Sequence, residues 1–394
     1  MKSARVVGAG LSGLAAAWCL RDAGFDVEVI EAAEEPGGLI GTMHTPHGPV
    51  ERAANAFVWT ETTAAWFARL HIAPSFPLDA SRHRFIYRDG HPRRWPLRRG
   101  ETFAMGARAG WTYLTRRMRP RPGETVAAFV SRVAGPAAGA WFVAPALQGI
   151  YGAPADQLSA EAVFGGWRRA RGGSAAPPGG MGEFIDRLYQ ALCARGVSFS
   201  FGAPVDYIGG ALPTVVATHA RAAAALVAPH APALGSALGR VRLSGLETVT
   251  AFFEPRPDDI AGFGVLFPRG CGIDALGVLF NTSIFPGRGT QRSETWIYSL
   301  ADGASAAPAA DRVSADREVL TGRRQVPLGL FATTRPEALP VYDAGIVAVQ
   351  AHVAELPPWL ALSGNYLGQI GVSTLLARAE TTVASLIARA SARR

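Results

Sequence analysis

Apolar positions fall into two rhythms along this chain, one of strands and one of helices. At the N-terminus, Ala4-Arg5-Val6-Val7 reads as a buried strand, breaks at Gly8-Ala9-Gly10-Leu11-Ser12-Gly13, and gives way to a helical run ending at Gly24. Val27-Glu28-Val29-Ile30 is a second strand, so the opening is strand, glycine turn, helix, strand, the unit of a parallel α/β sheet. Alternation and a turn at Arg84 to Gly90 predict a hairpin strand. From Glu101 to Trp167 the rhythm is helical, with an amphipathic start at Glu124 to Val130 and an apolar helix end at Pro145 to Tyr151. The Gly- and Pro-rich stretch Arg171 to Gly180 predicts a linker; Met181 to Ala194 then reads as a helix stopped near Gly196, and Val197 to Phe201 as a strand. Between Glu247 and Leu300, β-branched and aromatic residues alternate between turns such as Pro268-Arg269-Gly270, predicting a second, largely antiparallel sheet. Asp302 to Asp316 is Ala-rich and predicts an irregular surface connection. A glycine-rich strand-to-helix turn, Ala361 to Val372, and an amphipathic helix complete the chain, which carries no internal repeat.

Composition sharpens this picture in a few places. With 394 residues and 48% hydrophobic content, the chain can bury a large core spread over two or three domains. Its formal charge of +8 is nearly all arginine, since Lys2 is the only lysine, a bias that coding composition explains as readily as function. Arginine also pairs bidentately with carboxylates, which keeps an acidic substrate or an anionic lipid in view. The arginines are scattered and no nucleic-acid motif accompanies them, which argues against nucleic acid. Cys19, Cys193 and Cys271 have no metal or disulfide spacing and read as small core residues in a reducing compartment. Met1-Lys2-Ser3 runs straight into the first strand, so no signal or transit peptide is expected. No apolar run approaches the roughly 20 residues of a membrane span. Together these features predict a cytoplasmic protein.

The chemistry starts at the first glycine turn. Gly8 permits the tight turn, Gly10 the approach of backbone to a pyrophosphate, and Gly13 close helix-to-sheet packing, while the amides of Leu11 and Ser12 open the helix toward the phosphates. Glu31 ends the second strand, about 20 residues on, where a carboxylate accepts from a ribose diol, with Ala32 beside it. The pair Gly37-Gly38, followed by Leu39, lets a second backbone loop close over the dinucleotide, which points to FAD rather than NAD. The turn holding Gly364, Asn365, Gly371 and Val372 starts a late helix whose N-terminus suits the electron-rich reduced isoalloxazine. His44-Thr45-Pro46-His47 lacks further ligands at useful spacing, and no metal is expected. No nucleophile-base triad is present, and no single catalytic side chain is singled out.

These motifs resemble the FAD-dependent amine oxidase and protoporphyrinogen oxidase superfamily. The likeness to the protoporphyrinogen oxidase branch runs through Val50 to Phe57, Ala146 to Gly152 with Leu158-Ser159, Gly179 to Glu183, Gly262 to Arg269 and the closing Gly364 to Val372, in the family's order. Two departures accompany it. Glu35 stands where the family usually has arginine, and the chain is compressed around Val205 to Leu212 and Ala301 to Pro327.

The resemblance implies a Rossmann-type FAD-binding domain (1–80, 175–235 and 335–394), an antiparallel-sheet substrate domain (81–100 and 236–334) and a helical insertion (101–174). It implies oxidation of a porphyrinogen, protoporphyrinogen IX or coproporphyrinogen III, by hydride transfer to flavin N5 with dioxygen or another acceptor, in heme biosynthesis. Val205 would make the adenine-side backbone contact, Arg98 or Arg99 would meet substrate propionates, Gly149 would lie against the macrocycle, and Phe267, Leu266 and Phe280 would wall the pocket. Arginines flanking Phe103, Trp111, Tyr113 and Leu114 suit a peripheral contact with the inner face of the plasma membrane, and a homodimer is open. The alternatives are a flavoenzyme acting on an amine, a polyene or a nucleotide sugar, and a non-catalytic relative that binds flavin or tetrapyrrole.

Overall fold

The computed structural model describes residues 2–165, 172–300 and 307–391. A five-stranded, wholly parallel sheet holds the N-terminal unit, in the order Leu360–Leu362, Thr214–Val216, Lys2–Val7, Phe25–Ile30, Ser198–Ser200. Its helices Leu11–Asp22, Met181–Ala194 and Val372–Ser391 contribute Leu14, Leu188 and Leu376, among others, to one apolar core. The first helix lies unusually close to the sheet because Gly13 faces the Gly8 carbonyl, where a Cβ would overlap the oxygen.

The second sheet has seven strands in the order Gly329–Pro340, Leu243–Phe253, Arg292–Ser299, Gly277–Phe280, Gly264–Leu266, Arg84–Arg88, His91–Arg93. All its pairs are antiparallel except Gly264–Leu266 with Arg84–Arg88. One face packs Val249, Phe253, Val265, Trp296 and Tyr298 against Val313 and Leu320. The opposite face packs Leu279 on the core of the parallel-sheet unit. The helical insertion, including Arg99–Leu114, Val126–Val133 and Ala144–Tyr151, touches both: Val126 and Phe129 share a core with Val216 and Leu362, and Gly149 abuts Leu266.

Several expectations need correction. Residues 172–180 are no linker: Ser174–Ala175 pairs with Phe57–Val58, Ala176 bridges Ser75, and both alanines are fully buried. Small side chains among glycines and prolines hide this ribbon. Arg171, Trp167 and 302–306 lie outside the described residues. The remainder of the expected irregular connection is mostly helix, Ala309–Thr321, whose buried face carries Asp316 and Arg317 beside Val313 and Leu320. Charges on the inward face erased the apolar period. The long Gly329–Pro340 strand was also not foreseen, and it carries the second sheet past residue 334. Cys193 is exposed, whereas Cys19 and Cys271 are partly buried. In the His44 to His47 segment, His44 and Thr45 end the strand Thr42–Thr45, and Pro46-His47 is the turn into Gly48–Glu51, with His47 against Phe252 and Phe331.

Candidate functional site

Strand Lys2–Val7 ends at Gly8, whose φ of 104° is open to glycine and whose Cβ would come within 2.8 Å of the Ala217 oxygen. Gly10 caps the first helix in extended backbone, and a Cβ there would meet nothing closer than 4.0 Å. That open space lies between the two glycine loops. Gly37 N–H donates to the Ala9 oxygen at 2.9 Å, Gly10 bridges Gly37, and a Cβ on Gly38 would stand 3.4 Å from Gly10 Cα. Glu31 ties the cradle together by accepting from Ala9 N–H at 2.6 Å and Ala33 N–H at 2.9 Å. Ala32 is exposed beside it, and Leu39 is half-buried below the second loop. A groove with helix-start amides, room only for backbone and a carboxylate at its end fits a dinucleotide.

The third wall comes from the far end of the chain. Ser363 N–H donates to Val216, and Ala217 N–H to Val7, so the Gly364 loop leaves the sheet at the same edge as Gly8. Its helix begins at Val372, next to Gly371, with Ser373 Oγ donating to Val58 O at 2.9 Å. Val205 sits half-buried in an irregular segment between Ser198–Ser200 and Thr214–Val216.

The second sheet has a face opposite its own core. Strand alternation puts Leu246, Thr248, Leu266, Leu279, Ile297, Phe331 and Thr333 there, all half-buried, with Leu279 packed on the core of the parallel-sheet unit and Phe331 under His47. Gly149 does face this surface: a Cβ on it would reach Leu266 Cδ2 at 3.1 Å. Phe267 does not, because it is one residue out of phase, stacked on Trp296 within the opposite core, and Phe280 is buried there too. Leu266 is the wall residue of the three.

Arg98 and Arg99 are exposed at the start of helix Arg99–Leu114, Arg98 facing Asp89 at 3.5 Å. The buried arginine of this segment is Arg88, which grips Glu101 through two bonds of 2.7 and 2.9 Å and lies over the Trp141 ring. That grip, together with the Arg98 N–H, lowers the Glu101 pKa to about 2.

Sequence reasoning missed three features. Glu35 is paired at 2.6 Å with Arg52, so an arginine reaches the start of the second glycine loop from the bend just past strand Gly48–Glu51. Glu51, buried, accepts from Arg288, Thr42 and the Met181 N–H, joining the two sheets' units. Asn55 donates to Asn281, which donates to Ser293 and Thr295, a polar seam along the sheet face. The spans Val50 to Phe57 and Gly179 to Glu183 and the departure at Glu35 mark some of these residues in the sequence, but nothing there announces their partners. Among the described residues no cluster could hold a metal, and no helix is long and apolar enough to cross a membrane.

Comparison with known proteins agrees with this geometry. The model of the flavin containing amine oxidoreductase family matches residues 11–244. The chloroplastic protoporphyrinogen oxidase of Oryza sativa subsp. japonica is 24% identical over 369 residues, covering 72% of this chain, and the chain spans 66% of that protein's length. Among solved structures, a candidate protoporphyrinogen oxidase from Exiguobacterium sp. 255-15 superposes with a TM-score of 0.81 at 18% identity, covering 98% of both chains. Reduced UDP-galactopyranose mutase follows at 0.78 and 12% identity, covering 99% of this chain and 95% of the other. These likenesses show a shared fold. With the family model spanning more than half of its length, the chain belongs to the flavin-containing amine oxidoreductase family, and its cofactor is FAD.

Proposed function

We propose that this chain is an oxidase of the protoporphyrinogen oxidase type, which converts a porphyrinogen, protoporphyrinogen IX or coproporphyrinogen III, to the porphyrin for heme synthesis, with dioxygen as acceptor. Bound FAD supplies the hydride acceptor. The chain's residues hold cofactor and substrate and keep out water. We assign the pyrophosphate to the amides of Leu11, Ser12 and Gly13 with Gly8 and Gly10 making room, the ribose to Glu31 and Ala32, and the cover to Gly37, Gly38 and Leu39. Val205 takes the adenine side, and Gly364, Asn365, Gly371 and Val372 take the ring side.

The observation that carries the reading is the sheet face opposite the cradle. Leu246, Leu266 and Ile297, with neutral Thr248 and Thr333, form an apolar surface that among the described residues carries no carboxylate to hold an ammonium group. Such a surface suits a large, flat hydrogen donor, since transfer to flavin asks for position and dryness before it asks for an acid or base. Substrate carboxylates would meet Arg335, which shares the face with Thr333 and whose buried Nε has no partner among the described residues. Arg98 and Arg99 are further cations on the rim, and Gly149 keeps the surface flat beside Leu266.

Helix Arg99–Leu114 adds a peripheral membrane contact to the proposal. Thr112 is its one buried residue; Phe103, Trp111 and Leu114 form an exposed apolar stripe, ended by Arg116, Arg117, Arg119 and Arg121. The reading is tested by aerobic turnover of both porphyrinogens against a panel of primary amines. Porphyrin fluorescence appearing above the uncatalysed rate supports it, and peroxide formed from an amine instead replaces it with amine oxidation.

A further inference from the structure

The Gly364 to Gln369 loop is gripped from behind. Arg378, two turns into the last helix, donates from Nη1 to the Gly364 oxygen at 3.0 Å and from Nη2 to the Gly368 oxygen. Tyr342 donates to the Asn365 oxygen, and Gln350 to the Leu367 oxygen at 3.2 Å. Side chains packed against the loop therefore take up four of its carbonyls. The chain has no cis peptide among the described residues, so the N–H of each following residue points the opposite way. Gly368 at φ 107° and Gln369 at φ 54° hold the turn in left-handed backbone, which for a glutamine persists only when its surroundings enforce it.

The guanidinium itself is unusual. It is largely desolvated, and the titratable groups facing it are Tyr342 and Tyr366, with no carboxylate among the described residues. Burial pulls its pKa down, yet arginine keeps its proton. A buried cation is costly, and here it is met only by carbonyl dipoles. The loop it grips leaves the sheet beside Gly8, and the helix it sits on opens toward the same space.

We propose that Arg378 is a positioning residue for the flavin: through the Gly364 and Gly368 carbonyls it aims the loop amides at the ring system, and its uncompensated charge favours the reduced, electron-rich form. The inference rests on the assignment of this loop to the flavin. Aligned peptide N–H groups form a partial positive charge, and a cation behind their carbonyls strengthens each as a donor.

The test is the reduction potential of the purified holoenzyme, measured by dye equilibration, in wild type, Arg378→Met, Arg378→Gln and Arg378→Lys. Removing the charge is expected to weaken the preference for reduced over oxidised flavin about tenfold, which for a two-electron couple is roughly 30 mV. Arg378→Lys should restore most of it. A wild-type potential in Arg378→Met with full flavin occupancy overturns the inference. If Arg378→Met does not hold flavin, Arg378→Gln, which keeps donors for the carbonyls, gives the same comparison: a lowered potential supports the role of charge and an unchanged one overturns it. A lowered potential shared by Arg378→Lys also overturns it, because positioning by a cation is then not what sets the value. A wild-type enzyme whose flavin does respond to porphyrinogen while Arg378 leaves the potential unmoved separates failure of this inference from failure of the functional reading.

Discussion

Replacing Gly10 by alanine should leave the fold intact and destroy cofactor affinity, whereas the same change at Gly13 should damage both. Gly10 has φ −70° and no neighbour closer than 4.0 Å to an added Cβ, so the backbone tolerates alanine, and the loss of an N-cap glycine costs about 1 kcal/mol. The methyl, however, fills the groove to which we assign the pyrophosphate. Loss of two charge-assisted hydrogen bonds at about 1.5–3 kcal/mol each amounts to roughly 3–6 kcal/mol, or about 10²–10⁴ in Kd. At Gly13 a Cβ would overlap the Gly8 carbonyl, a backbone atom that cannot swing aside, so the helix must lift from the sheet. Urea unfolding of the apoproteins and fluorescence titration with FAD separate the two effects. The reasoning is refuted if Gly10→Ala binds FAD like wild type, or if its apoprotein is destabilised as much as Gly13→Ala.

Glu101→Gln should lower stability at neutral pH and leave little difference at acid pH. Arg88 holds the folded-state pKa of Glu101 near 2, below its unfolded value of about 4.5, so the stabilisation is full above the unfolded value and is lost as pH falls from there through about 2; urea melts of both proteins at pH 7 and at about pH 2 check this. Arg335→Ala should raise KM for a porphyrinogen about 10- to 100-fold, the worth of a charge-assisted hydrogen bond, with flavin content unchanged in steady-state assays. The protein should sediment with phosphatidylglycerol vesicles and not with phosphatidylcholine, and a Phe103→Ser, Trp111→Ser, Leu114→Ser variant should remain in the supernatant.

The N-terminal unit was legible because its function constrains local sequence. Gly8, Gly10, Gly13 and Glu31 each occupy the position their spacing indicated, joined by Ala9 backbone contacts. The second sheet was legible in type through its alternation, though not in extent: Gly329–Pro340 carries Pro336 and mixed polarity on an edge strand, which weakens the pattern. Face was harder than type. Phe267 reads in the sequence as a pocket wall but lies in the core, because a shift of one residue along a strand exchanges its faces. The polar seam from Asn55 to Thr295 and the Arg378 grip join residues far apart in sequence, and no local spacing announces such contacts. The charged inward face of Ala309–Thr321 failed for a related reason: Asp316 is satisfied by the Asp274 and Ala275 amides, partners visible only after folding.

The central claim is that flavin in this chain takes hydride from a porphyrinogen. Its most direct measurement is anaerobic mixing of the holoenzyme with protoporphyrinogen IX and, separately, coproporphyrinogen III, following the oxidised-flavin absorption band. The account predicts bleaching of that band as porphyrin absorption rises, and the faster of the two reactions names the substrate. A flavin that stays oxidised with both, yet is reduced by dithionite, contradicts it.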